Sequence, residues 1–181
     1  MTVGRLIAVV GPSGVGKDSF MAGLRDAIPD LNVVRRVITR APDLGGEDYD
    51  AVTVDQFDEM VANGDFAVHW GAHGLYYGIP DAVRTRLAEG ADCLVNFSRH
   101  SLTDAAEIFP RLTVLNITAT PETLMRRLIA RGREPEEEIA RRLARAEKPL
   151  PQGLDVIHLS NDGPLNQTVA RATALLQPAR V

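Results

Sequence analysis

The stretch "RLIAVVGPSGVGKDSF", residues 5–20, constrains the fold more than any other in this chain. A short apolar run feeds a loop of small residues, and the loop opens directly into a helix-spaced pattern at Phe20, Met21, Leu24 and Ile28, which Pro29 ends. Gly11, Gly16 and Lys17 satisfy the G-x-x-x-x-G-K spacing of a phosphate loop. In such a loop successive backbone N–H groups converge at a helix N-terminus, where the dipole favours anions. The residues expected to cradle a nucleoside triphosphate are Gly11, Pro12, Ser13, Gly14, Val15, Gly16, Lys17, Asp18 and Ser19. Lys17 supplies the positive charge for the β- and γ-phosphates. Asp18 stands where a Ser or Thr usually meets Mg²⁺. A carboxylate beside a triphosphate is repelled unless a cation intervenes, so Asp18 is expected to bind Mg²⁺, directly or through water, rather than only to cap the helix.

The rest of the chain continues the alternation. Strands are expected at "NVVRRVIT", "DCLVNF", "RLTVLNIT" and "DVIHLS". Helices are expected over 81–89, over 101–108 with Ser101 as cap, over 120–130 with Thr120 as cap and Pro121 in the first turn, over 136–148, and over 164–176. Strands alternating with helices imply a parallel sheet covered on both faces. The middle section is different: "AVTV", "FAVHW" and "LYYGI" are short and glycine-interrupted, with a helix at "DQFDEMVAN". A single α/β domain over 1–181 is expected, with a core at 1–38, 81–125 and 149–181, a small insertion at 39–80 and a charged helical segment at 126–148.

Composition removes several function classes. Net charge is −4, so nothing draws the whole chain to nucleic acid or to a membrane, and an anionic ligand needs a local basic cluster. Aromatics are 5%, too few for a base-stacking platform. Cys93 is single and lies in an apolar run, so it reads as a buried strand residue. "GRLIAVV" is too short to span a membrane; a cytoplasmic location is the expectation, as a monomer or homodimer. Segment 126–148 holds Arg126, Arg127, Arg131, Arg133, Arg141, Arg142, Arg145 and Lys148, eight of the chain's 20 Lys and Arg residues, beside five glutamates. Arg126, Arg127 and Arg145 read as members of a solvated, salt-bridged helix.

Three further segments complete a pattern: "VITRAPDLGGEDYD", "GDFAVHWGAHGLYYGIP" and "TPETLMRRLIARGREPEEEIARRLARA". With the glycine loop, in this order, they resemble the guanylate kinase superfamily over nearly the whole chain. The resemblance implies a P-loop kinase of three-layer α/β/α form, with a small acceptor-binding subdomain and a helical lid. It places Arg40, Tyr49 and Tyr77 on the acceptor phosphate, Arg131 and Arg142 on the transferring group as lid arginines beside a hinge at Gly132, and Asn161 near the ATP base. Three positions depart from it. Val68 falls where a guanine-reading Glu is found, Ile79 follows "YYG" in place of Ser or Thr, and Ser98 is nearest to a missing acid. Val and Ile cannot hydrogen-bond a base edge, and losing such contacts costs discrimination by orders of magnitude.

"GKDS", "YYGI", "VNFSR" and "NDG" together resemble a narrower family, the ribose 1,5-bisphosphate phosphokinases of phosphonate metabolism. That resemblance implies transfer of the ATP γ-phosphoryl to the 1-phosphate of ribose 1,5-bisphosphate, with ATP and Mg²⁺ as cofactors. Guanylate kinase activity and a silent protein-binding module are the alternatives. Arg99 and His100, after a strand, are candidates for the second phosphate or the sugar, and His69 and His73 are others. Arg36 reads either as an acceptor-site residue or as an edge-strand charge.

Overall fold

The structure, a computed structural model, describes residues 2–42, 46–145 and 149–177. β1 (Leu6–Val10) is buried at every position, as a strand covered on both faces must be. After the glycine loop comes α1 (Lys17–Ala27), which buries Phe20, Met21 and Leu24. β2 (Asn32–Val33), β3 (Arg36–Ile38) and β4 (Tyr49–Ala51) lead to α2 (Val54–Ala62), then β5 (Phe66–Ala72), β6 (Leu75–Pro80) and α3 (Ala82–Ala88). β7 (Cys93–Asn96), a 3-10 turn at Arg99–Ser101, α4 (Leu102–Ile108), β8 (Leu112–Thr118), α5 (Pro121–Arg131), α6 (Glu136–Arg145), β9 (Asp155–Ser160) and α7 (Leu165–Leu176) complete the order.

The strands form two sheets. One has five strands in the order β2-β7-β1-β8-β9, with β2 parallel to β7; the other has four, in the order β4-β3-β6-β5. In the second, β3 runs parallel to β4 and antiparallel to β6. The single strand expected over "NVVRRVIT" is therefore two, one in each sheet. No glycine or proline marks the break. β2 ends where its partner does, the Val34 N–H closing the ladder on the Leu94 carbonyl, and β3 takes its hydrogen bonds from β4 and β6 instead. "AVTV" likewise splits: Ala51 closes β4, and Thr53 caps α2 through a reciprocal pair of bonds with Gln56. Thr120 caps α5 as expected, accepting from the Thr123 N–H with Pro121 in the first turn. Ser101 does not cap α4; its hydroxyl donates to the Ser98 carbonyl. Helix α6 is described to Arg145, and the expected continuation to 148 lies outside the described residues.

The chain divides into two compact units, Met1–Ala8 with Asp30–Thr113, and Val9–Pro29 with Val114–Val181. In the first, Phe57, Val68, Trp70, Ile79, Leu94, Phe97 and Leu102 are core. In the second, α1 packs on α7, and Phe20, Leu24, Leu115, Ile117, Leu128 and Leu176 are core. Among the described residues, no helix is long and apolar enough to cross a membrane.

Candidate active site

The second unit carries the glycine loop. Gly16 is the N-cap of α1 in the left-handed region, at φ 93°, a conformation that costs a side-chain-bearing residue about 1 kcal/mol or more. Gly11 is required for a different reason: a Cβ there would lie 2.7 Å from the Ile117 carbonyl oxygen. No side chain caps α1, so its first-turn N–H groups have no side-chain acceptor of the kind that caps α5. Asp18, in that first turn, is exposed and makes no capping bond, and Ser19 beside it is also exposed.

The loop is braced from behind. The carbonyl of buried Val15 accepts from Asn161 Nδ2 at 2.8 Å and from Arg127 Nη1 at 3.3 Å. Arg127 Nη2 also donates to the Asn161 carbonyl at 2.7 Å, and the Asn161 Oδ1 accepts from the Thr168 hydroxyl at 2.8 Å. Asn161, expected near the ATP base, is thus buried with its amide committed to the loop and to α7. Arg127, read from sequence as part of a solvated helix, is instead a half-buried clamp on backbone carbonyls. Its signal lay in the "RRL" motif itself; only the fold shows which arginine of the pair turns inward.

The two arginines expected on a lid behave differently from each other. Arg142 donates through Nη1 to Glu134 Oε1 and through Nη2 to the Ser13 hydroxyl at 2.7 Å, so it reaches the glycine loop. Arg131 is exposed at the end of α5, followed by Gly132 in the left-handed region at φ 63°. The hydrogen bond from Arg142, with the charges of Arg142 and Arg131, holds the Glu134 carboxyl below the usual carboxylate range against some desolvation. Glu134 Oε2 is buried with no hydrogen-bond partner among the described residues.

The first unit carries the other set. Strand register places Arg36 opposite Tyr49, Tyr77 opposite both Ile38 and Trp70, and Val68 opposite Ile79. Cross-strand partners share a face, as do residues two apart, so Arg36, Tyr49, Val68, Trp70, Tyr77 and Ile79 line one face of the four-stranded sheet. Trp70 stacks between Tyr77, at 5.6 Å, and Phe97, at 5.3 Å, and donates from Nε1 to the Ser98 hydroxyl at 3.0 Å. Val68 and Ile79 are buried. Arg36 is not an edge charge: it is buried, ion-paired to Glu47 through Nε and Nη2, and lies 4.7 Å from the Tyr77 ring centroid. The Arg40 guanidinium lies 5.5 Å over the Tyr49 ring, and the Tyr49 hydroxyl donates to the Ala41 carbonyl. Burial pushes the Tyr77 hydroxyl pKa up; Arg36 and Arg40 oppose the shift and Glu47 adds to it. Arg99 is half-buried after β7, and burial lowers its guanidinium pKa. His69 is exposed and, adjacent to Val68 and Trp70 along β5, points to the opposite face. His73 is an exposed turn residue at φ 54° between paired Ala72 and Leu75, and His100 is exposed.

The guanylate kinase family profile matches residues 3–177. The chain is 51% identical over 179 residues to the ribose 1,5-bisphosphate phosphokinase PhnN of Ruegeria sp. (strain TM1040), covering 98% of this chain and 94% of that one. It is 44% identical to the protein of the same name from Azotobacter vinelandii, covering 98% and 96%. Among solved structures, guanylate kinase from Anaplasma phagocytophilum superposes with a TM-score of 0.71 at 20% identity, covering 97% of this chain and 85% of that one, a likeness of fold. The chain belongs to the ribose 1,5-bisphosphate phosphokinase family of guanylate-kinase-like P-loop kinases.

Proposed function

We infer that this protein transfers the γ-phosphoryl group of ATP to the 1-phosphate of ribose 1,5-bisphosphate, giving 5-phosphoribosyl 1-diphosphate and ADP. The carrying observation is the acceptor face: where the fold's nucleotide kinases read a base, Val68 and Ile79 pair across β5 and β6 as buried apolar residues, and Ser98 is bonded to Trp70. Neither apolar side chain can hydrogen-bond a purine edge.

The acceptor oxygen is already anionic at neutral pH, so no general base is needed, and catalysis is positioning and charge neutralisation. A 1-phosphate oxygen attacks the γ-phosphorus, the bond from that phosphorus to the β–γ bridging oxygen breaks, and ADP leaves. Lys17 and the first-turn amides of α1 hold the donor phosphates. Arg131 and Arg142 offset charge on the transferring group. Arg40 and Tyr77 hold the acceptor phosphate, with the Tyr49 ring beneath the Arg40 guanidinium. Asp18 fits a Mg²⁺ site: Mg²⁺ takes one or two carboxylates, retains water and completes its shell with substrate phosphates, and Asp18 is an exposed, uncapping carboxylate in the loop's first helical turn. Mg²⁺ there would supply charge neutralisation between the β- and γ-phosphates.

One coupled assay of ADP release with ribose 1,5-bisphosphate, GMP and other monophosphates, at matched concentrations, tests the reading. Turnover is expected with the bisphosphate. Preference for GMP would replace the reading with a guanylate kinase. In the same assay Asp18→Ala is expected to raise the Mg²⁺ concentration needed for half-maximal rate; an unchanged titration would remove Asp18 from the metal.

A further inference from the structure

Arg36 and Glu47 form an ion pair that stability does not explain. Their side chains are 7% and 16% exposed, and desolvating two charges commonly offsets what their attraction returns. The pair lies against an aromatic stack: the guanidinium is 4.7 Å from the Tyr77 ring centroid and 6.0 Å from that of Trp70. Glu47 engages Nε and Nη2, which locks the planar fork in one orientation. Both N–H bonds of Nη1 go to no acceptor among the described residues, and the Tyr77 hydroxyl likewise makes no hydrogen bond there. Arg36 lies over the Tyr77 ring, whereas Arg40 lies over the ring of Tyr49.

We propose that Arg36, held in place by Glu47, reads the second phosphate of the acceptor, while Arg40 serves the phosphate that receives the γ-phosphoryl group. The inference rests on the function given above and assigns the 5-phosphate to a residue on the acceptor face. A substrate with a phosphate at each end of a sugar asks for two separated cations. A guanidinium edge with unspent N–H groups matches phosphate oxygens. Glu47 is a positioning residue: it spends one edge of the fork so that the other is presented.

The experiment crosses substrate deletion with side-chain deletion. The ratio of kcat/KM for ribose 1,5-bisphosphate to that for ribose 1-phosphate is measured for the parent, Arg36→Met, Glu47→Gln and Arg99→Met. Arg36→Met is expected to lower the ratio by about tenfold or more, the scale of a charge-assisted hydrogen bond, mainly through KM for the bisphosphate. Glu47→Gln is expected to lower it in the same direction by less. An unchanged ratio in folded Arg36→Met, equal losses on both substrates, or a fall in Arg99→Met alone would overturn the proposal. Should Arg36→Met not fold, Glu47→Gln decides: an unchanged ratio there overturns it. A parent enzyme that uses neither sugar phosphate defeats the proposed function itself, a distinct outcome.

Discussion

Asn161 and Asp162 are neighbours with different duties, and side-chain direction separates them. Asn161 turns inward to Val15 and Thr168, whereas Asp162 accepts from the Thr120 N–H at 2.8 Å and the Ser160 hydroxyl at 3.0 Å, tying the start of α5 to the end of β9. The Thr120 N–H, with the neighbouring Thr123 and Ser160 hydroxyls, pushes the Asp162 pKa down to about 2 from 3.8. A depressed carboxylate stabilises the fold fully above its unfolded pKa and ceases to as pH falls through its folded one. The contribution of Asp162 is therefore present at neutral pH and lost between about pH 4 and pH 2. Asp162→Asn should have a lower Tm than the parent at pH 6, and calorimetry down the pH scale should show the two converging by pH 2. A gap that persists at pH 2 would mean the carboxylate's charge is not the source. "SNDG" announces a polar turn; nothing in those four letters says which member faces the loop.

At the level of elements, β5 and β6 carry much of the face proposed to meet the acceptor. Their hairpin is joined by His73 and Gly74, both at positive φ, which matches the twist of the flanking strands and sets the register that pairs Val68 with Ile79. Val68 is 4% exposed, so a carboxylate there would be a buried charge. Val68→Glu is expected to lose about 3 kcal/mol or more of stability in urea titration and to gain no GMP turnover. A stable Val68→Glu protein that phosphorylates GMP would show that the position faces an open, solvated pocket. The period-2 pattern of β5 was legible as a short strand, and α5 was legible through Thr120 and Pro121, because caps and alternation are local signals. The division of residues 32–38 was not legible: the strands that claim β2 and β3 lie far along the chain.

On the scale of the whole molecule, the residues proposed for the donor and those proposed for the acceptor belong to different compact units. Residues 9–29 and 114–181 bring the glycine loop, Arg127, Arg142 and Asn161; residues 30–113 bring Arg36, Arg40, Tyr49, Tyr77 and Arg99. A ligand that binds only the folded state raises stability by mass action, by about 2.7 kcal/mol at a hundred times its Kd. Thermal unfolding of the parent should therefore shift upward with a non-hydrolysable ATP analogue. Lys17→Ala should unfold near the parent's unliganded Tm and lose most of that shift. A full shift in the variant would mean that nucleotide affinity does not depend on Lys17.

The amino-acid sequence by itself determined the phosphate loop and the βα alternation around it. Both are matters of spacing between residues near one another in the chain. Only the tertiary structure decided that Arg127 and Asn161 brace Val15, that Arg142 meets Ser13, and that Arg36 is buried against Glu47 on an aromatic stack. Those facts depend on which way a side chain points and on partners as much as 146 residues apart. Local pattern carries no record of either.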